Sequence, residues 1–299
     1  MENATFAAGH VTQAEIDSHQ WFHGLDFGDG RRAKGRGRPE NWSIYGVLSF
    51  MEGIDFAGLD VLDVGTMDGL IPFIAEKEGA RRVVATDLYD RKSFRLAWRI
   101  FNSNVRYEPN TSIETLISRH GPASFDVVVM GGLLYHLMSP LRAFLIARTL
   151  LRTGGLLLLE TVASKDEEPN LRFNLSGPVI DEYTTYFVAS PSAVQGMARF
   201  SGFRIEASAA SYPANAEYSR YSIAARAVGS DALESDCDLM TKAITRATKA
   251  DGDQITDELS LRAALANPVG VRTPTFTMTG HTDISPAKFQ TRFALQPRG

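Results

Sequence analysis

Cysteine is nearly absent from this 299-residue chain: Cys237 stands alone. No intrachain disulfide and no cysteine metal cluster can form, and no metal is expected. A reducing, cytoplasmic location is the expectation. Long apolar runs are missing too, so no membrane span is expected. The first residues lack the basic-then-apolar layout of a signal peptide. Excess charge is small, with 31 Lys and Arg against 35 Asp and Glu, a net charge of -4 and a pI near 5.9. Nucleic-acid binders usually show a strongly basic domain or patch. The local exception is the run Arg31-Arg32-Ala33-Lys34-Gly35-Arg36-Gly37-Arg38, which reads either as a phosphate contact or as a solvated loop. No Gly-Lys-Ser/Thr segment exists, so a phosphate loop is excluded.

The apolar fraction, 44%, is that of an ordinary globular protein with ample core. Its most informative stretch is Val61-Leu62-Asp63-Val64-Gly65-Thr66-Met67-Asp68-Gly69, followed by a helical pattern and then Val83-Val84-Ala85-Thr86-Asp87. This is strand, glycine turn, helix, strand and acid. Glycines let backbone approach a ligand at a helix N-terminus. An acid ending the second strand, about 20 residues on, is placed for ribose hydroxyls. A dinucleotide turn wants a second glycine where Met67 stands. Asp63 and Asp68 add negative charge, which disfavours pyrophosphate and suits a cofactor carrying a sulfonium and an ammonium. S-adenosyl-L-methionine is such a cofactor.

Thr12 and Glu15 form a capping box, which predicts a short helix over 12–22. Residues 25–38 read as a glycine-rich basic loop. A helix follows Pro39 and Asn41, with Ile44, Val47, Leu48 and Met51 on one face. Apolar strands are predicted at 125–130 and 156–161, both buried on two faces, and a short third strand at 105–107. Residues 164–190 are polar, aromatic and contain Pro169, Gly177 and Pro178, as expected of a lid or binding loop. Residues 203–207 and 219–227 read as a closing hairpin. An amphipathic helix is predicted through Leu233, Cys237, Met240, Ile244 and Ala247, and a second over 256–266. The fold expected is α/β: a doubly wound, Rossmann-like, mostly parallel seven-stranded sheet with N-terminal helices and a C-terminal extension. The divisions are 1–55, 56–228 and 229–299, with the lid at 164–190.

With those elements in place, the chain resembles a class I S-adenosylmethionine-dependent methyltransferase over roughly residues 21 to 226. Asp63-Val-Gly65-Thr-Met-Asp68-Gly69 matches that fold's first motif, Asp87 its ribose acid, Phe125-Asp-Val-Val-Val-Met-Gly131 its fourth strand, and Leu150-Leu-Arg-Thr-Gly154-Gly155 the turn before the fifth. A narrower resemblance is to the tRNA wobble-uridine 5-oxyacetate methyltransferase family. It rests on Trp21-Phe-His23 with Asp26-Phe-Gly-Asp-Gly30, on Leu134-Tyr-His136-Leu-Met-Ser-Pro140, and on Tyr186-Phe-Val-Ala-Ser-Pro191.

The resemblance implies that Gly65, Thr66 and Asp68 face the methionine part of the cofactor. Asp87 then holds the ribose, Leu88, Ser112 and Ile113 the adenine, and Met130 with Gly131 border the transferable methyl. Tyr135 and His136 are the catalytic candidates. His136 is either a general base or a residue that shapes its turn through a backbone carbonyl. Trp21, His23, Tyr45, Phe173, Tyr183 and Tyr186 are the candidate substrate contacts, the insertion aromatics suiting a flat acceptor. Three functions follow: methylation of O, N or electron-rich C of a small aromatic or heteroaromatic secondary metabolite; methylation of a tRNA wobble uridine; or non-catalytic cofactor binding. The acidic balance favours a small-molecule acceptor over nucleic acid. A homodimer through the C-terminal extension is a further expectation.

Overall fold

The computed structural model describes residues 11–36, 40–174, 183–211, 218–229 and 273–277. Seven strands run through the centre: β1 (Asp60–Val64), β2 (Arg82–Thr86), β3 (Arg106–Glu108), β4 (Phe125–Gly131), β5 (Leu151–Ser164), β6 (Phe203–Ser211) and β7 (Tyr218–Ala227). Their spatial order is 6-7-5-4-1-2-3. The pairs β1–β2, β1–β4, β2–β3 and β4–β5 are parallel. β7 joins β5 antiparallel and β6 joins β7 antiparallel, which is the closing hairpin expected from the sequence. Every residue of β1 is buried, because helices cover both faces.

One face carries α2 (Tyr45–Glu52), α3 (Leu70–Lys77) and α4 (Lys92–Ile100), which pack Phe50, Phe73 and Phe94 on the sheet. The other carries α5 (Leu116–His120), α6 (Pro140–Leu150) and α7 (Pro191–Phe200), contributing Leu116, Phe144 and Val194. Chain order reverses between β1 and β4. In such sheets ligands sit at the strand C-termini beside that switch point.

The sheet is larger than the seven strands expected. Leu171–Phe173 and Phe187–Ala189 pair antiparallel within the insertion, and Ala189 pairs with Ala163 of β5, giving nine strands. Three-residue strands are too short to show a period of two, so the sequence does not mark them. The first helix is also shorter than expected. α1 spans Gln13–Asp17, with Thr12 Oγ1 accepting from Glu15 N at 3.2 Å. The basic loop folds as a small hairpin, Leu25 pairing with Ala33.

Part of the C-terminal extension packs on its own domain. Thr277 N donates to Gly53 O at 3.0 Å, Phe276 bridges Ile54 and meets the Phe50 ring edge-on, and Arg226 Nη1 donates to Pro274 O at 3.0 Å. The two helices expected at 233–247 and 256–266 lie outside the described residues. Gly229 and Thr273, on either side of that stretch, lie against neighbouring residues: Gly229 against Thr153 and Thr273 against Gly154. Among the described residues no helix is long and apolar enough to cross a membrane.

Candidate active site

The turn after β1 is built on left-handed backbone. Gly65 has φ +80°, Met67 +51° and Gly69 +89°. Gly65 N and Thr66 N both donate to Thr86 O at 2.9 Å, tying the turn to the end of β2. Met67 adopts the conformation a glycine would take there without steric cost. Its N–H donates to Asp87 Oδ2 at 3.0 Å. Asp87 Oδ1 accepts from Tyr89 N at 2.9 Å and from Arg91 Nε at 3.1 Å. The ribose candidate therefore also locks the glycine turn.

Asp63 lies below this turn, 1% exposed, with its Oδ2 lacking any hydrogen-bond partner. Burial pushes its carboxyl up to about 7; Thr66 opposes that shift and the Asp87 charge adds to it. A buried acid of this kind, with no ion-pair partner among the described residues, fits a positively charged ligand and repels a phosphate.

Asp68 also has protein partners of its own. Its Oδ2 accepts from Phe22 N at 2.6 Å and His23 N at 2.8 Å, and its Oδ1 from the Ser93 hydroxyl. It clasps the N-terminal segment onto the turn. His23 is buried with Nδ1 3.9 Å from Asp68; burial lowers its pKa and Asp68 partly restores it. Trp21 is packed in the cap, its Nε1 donating to Ile16 O at 2.8 Å and its ring edge-on to Phe27. Tyr45 donates from its hydroxyl to Glu40 O at 2.6 Å. The structure gathers His23 at the turn and leaves Trp21 in the cap core.

Thr111 N donates to Asp87 O at 2.9 Å, bringing the loop after β3 beside the turn. Ser112 there caps a short 3-10 helix, Ile113–Thr115, and Leu88 is exposed after β2. At the end of β4, Met130 is buried in the core shared with α6, while Gly131 faces Ile71 and Ile44. Leu133 Cδ1 lies 3.5 Å from where a Cβ on Gly65 would stand, so the loop after β4 runs beside the glycine turn.

Tyr135 and His136 lie in a 3-10 turn, Leu134–His136, stitched to the insertion. Tyr186 N donates to Tyr135 O at 2.9 Å, and His136 Nδ1 is 2.8 Å from Thr184 O. A carbonyl only accepts, so Nδ1 carries the hydrogen and Nε2 keeps a lone pair in the neutral ring. The turn-shaping bond and a base role are thus compatible. Phe173 and Tyr183 are 58% and 99% exposed, and Tyr186 is exposed as well.

Two residues of this edge escape the sequence reading. Glu160 lies in a strand that reads as apolar throughout, and Arg220 just inside the start of β7. Both are buried. Arg220 Nε is 2.6 Å from Glu160 Oε1, and its Nη2 donates to Glu160 Oε2 at 2.6 Å. Both Nη atoms lie 3.4 Å from the Tyr135 hydroxyl. The available signal was a single charge near the same edge of two neighbouring buried strands.

The arrangement is that of a cofactor-binding α/β protein with an anionic cradle. Residues 38–208 match the family described as the methyltransferase domain, and this protein belongs to that family. The match is to the general domain and does not single out the wobble-uridine enzymes. No curated protein matches the chain in sequence. Among solved structures, the N-terminal domain of EvdMO1, with S-adenosylhomocysteine and D-fucose, is similar at 16% identity over 72% of this chain and 94% of that one, TM-score 0.51. The (4+2)-cyclase SpnF is similar at 14% identity over 72% and 90%, TM-score 0.52. The 1,6-didemethyltoxoflavin-N1-methyltransferase of Burkholderia thailandensis is similar at 19% identity over 57% and 72%, TM-score 0.48. At these identities the likeness is one of fold.

Proposed function

We propose that this methyltransferase moves the methyl group of S-adenosylmethionine to O, N or electron-rich C of a small aromatic or heteroaromatic metabolite. The observation that carries the acceptor class is the exposed aromatic side chains of the insertion, Phe173 and Tyr183, on a segment bonded to the Tyr135–His136 turn. Flat apolar acceptors bind to such surfaces. The wobble-uridine reading drew on the basic loop, but Arg31 there is bonded to Asp29 and Arg32 to Glu40. Paired arginines have less charge to offer a phosphate backbone.

The residues present fit the cofactor through the Asp63 carboxyl, whose Oδ2 has no hydrogen-bond partner, and the open glycine backbone at Gly65. Gly65 and Thr66 would border its methionine part, with Asp63 supplying the countercharge from below. Asp87 would take the ribose hydroxyls, in competition with Arg91, a partly exposed side chain that can swing away. Ser112 and Ile113 would border the adenine. When bound, S-adenosylmethionine supplies an electrophilic methyl on a cationic sulfur. The protein's part is alignment of the acceptor lone pair with that methyl. His136 Nε2 is available to take the proton an O or N acceptor loses.

Isothermal titration with S-adenosylhomocysteine, with absorbance checked for co-purified RNA, tests this reading. Micromolar binding without RNA is the expected result; RNA carried through purification would favour the tRNA acceptor instead. Asp87→Ala is expected to weaken that binding by on the order of a hundredfold, the loss of two charge-assisted hydrogen bonds. Unchanged affinity would remove Asp87 from the site. His136→Ala is expected to slow turnover at least about tenfold while cofactor affinity stays level. Wild-type turnover would leave His136 with its turn-shaping bond alone.

A further inference from the structure

The Glu160–Arg220 pair is a buried ion pair at the C-terminal edge of the parallel strands, with side chains 0% and 8% exposed. A buried pair is weak support for stability, since apolar residues of similar volume often serve as well. Its retention here points to what it touches. Glu160 grips Arg220 through both carboxylate oxygens. Arg220 in turn directs both Nη groups at the Tyr135 hydroxyl, and its Cζ lies 5.2 Å from the Tyr135 ring centroid. Gly132 brings the three together. A Cβ there would lie 3.4 Å from the Tyr135 hydroxyl, 3.5 Å from Arg220 Nη2 and 3.7 Å from Glu160 Oε2. The Gly132 N–H is itself bonded to Glu160 O at 3.0 Å. The next residue, Leu133, lies beside the glycine turn, its Cδ1 3.5 Å from where a Cβ on Gly65 would stand. The cluster therefore stands one residue from Leu133, which lies beside the glycine turn.

From this juxtaposition we infer that Tyr135 holds an oxygen of the methyl acceptor, a phenolate or carbonyl next to the methylated atom, and that Glu160 and Arg220 are its positioning residues. The inference rests on the methyltransferase reading above and narrows its acceptor class. Guanidinium N–H groups pointing at the phenol oxygen draw electron density from its O–H bond and make the phenol a stronger donor to an anionic oxygen. Glu160 keeps the guanidinium in one orientation and cancels its charge, so the acceptor is recognised by a directed hydrogen bond rather than by bulk charge. An oxygen held as phenolate also enriches the carbon or heteroatom beside it, as transfer to an electrophilic methyl requires.

The test uses 4-nitrophenol, whose ionised form is read by its visible absorption, added to the full-length protein saturated with S-adenosylhomocysteine. Wild type is expected to bind it as the phenolate, with its ionisation shifted to lower pH. Tyr135→Phe is expected to bind the phenolate roughly ten- to a hundredfold more weakly, the loss of one hydrogen bond to a charged group, with S-adenosylhomocysteine affinity unchanged. The double variant Glu160→Met with Arg220→Met, which leaves no lone buried charge, is expected to lose the same shift although Tyr135 remains. An equal ionisation shift in wild type and Tyr135→Phe would overturn the inference, as would a wild-type complex that does not bind the probe. A double variant that keeps the full shift would remove Glu160 and Arg220 from the device. Failure of wild type to bind S-adenosylhomocysteine would overturn the cofactor reading first, and this inference with it.

Discussion

Gly69→Ala is expected to destabilise the protein by about 3 kcal/mol, from a left-handed backbone penalty and an overpacked core. Gly69 has φ +89°, and an added Cβ would enter the Phe73 ring and lie 2.8 Å from Phe94. Those two rings are packed against each other, with centroids 5.1 Å apart, beneath the start of α3. Neither can retreat without opening the core. For a domain of this size the loss corresponds to a melting temperature lower by roughly 10 °C. Gly30→Ala is the control, since Gly30 has a similar φ of +85° but nothing within 4 Å of the added atom. Thermal unfolding of both variants separates backbone strain from packing. Equal losses would show that the rings give way.

Asp63→Asn is expected to move stability and binding in opposite directions. The wild-type carboxyl is raised from its ordinary value of 3.8 to about 7 in the folded protein. The folded state therefore holds a proton that the unfolded chain has released across this interval. Stability contributed by that proton is complete below about pH 4 and is lost as pH rises through about 7. Asparagine does not titrate, so its advantage builds up between about pH 4 and pH 7 and is complete above that, on the order of 4 kcal/mol. Thermal melts at pH 4 and pH 8 check this: the two proteins should be close at pH 4 and diverge at pH 8. The same change removes the countercharge under the cofactor turn. Affinity for S-adenosylmethionine should fall more than affinity for S-adenosylhomocysteine, which lacks the sulfonium charge. Parallel losses for both ligands would place the Asp63 charge away from the sulfur.

The turn and its acids were legible because their chemistry is local. Glycines at 65 and 69 and acids at 63 and 87 declare positive φ and a charged cradle within one β-α-β unit. The doubly wound sheet was legible for the same reason, from apolar runs separated by helical periods. What escaped depends on long-range contacts. Asp68 reads as a cofactor contact in the motif, yet its partners Phe22 and His23 lie more than 40 residues upstream. Glu160 and Arg220 are 60 residues apart and meet only through the β5–β7 register. The His136 bond to Thr184 needs the insertion to fold back, which nothing in either segment announces.

The anchoring of residues 229 and 273 has a consequence for how this family member tolerates change. Thr153 and Gly154, which lie against them, open β5 at the rim opposite the glycine turn. A side chain added at Gly229 or Gly154 would therefore press on Thr153 or Thr273 and strain that rim, while the cofactor turn at the far end of the strands keeps its geometry.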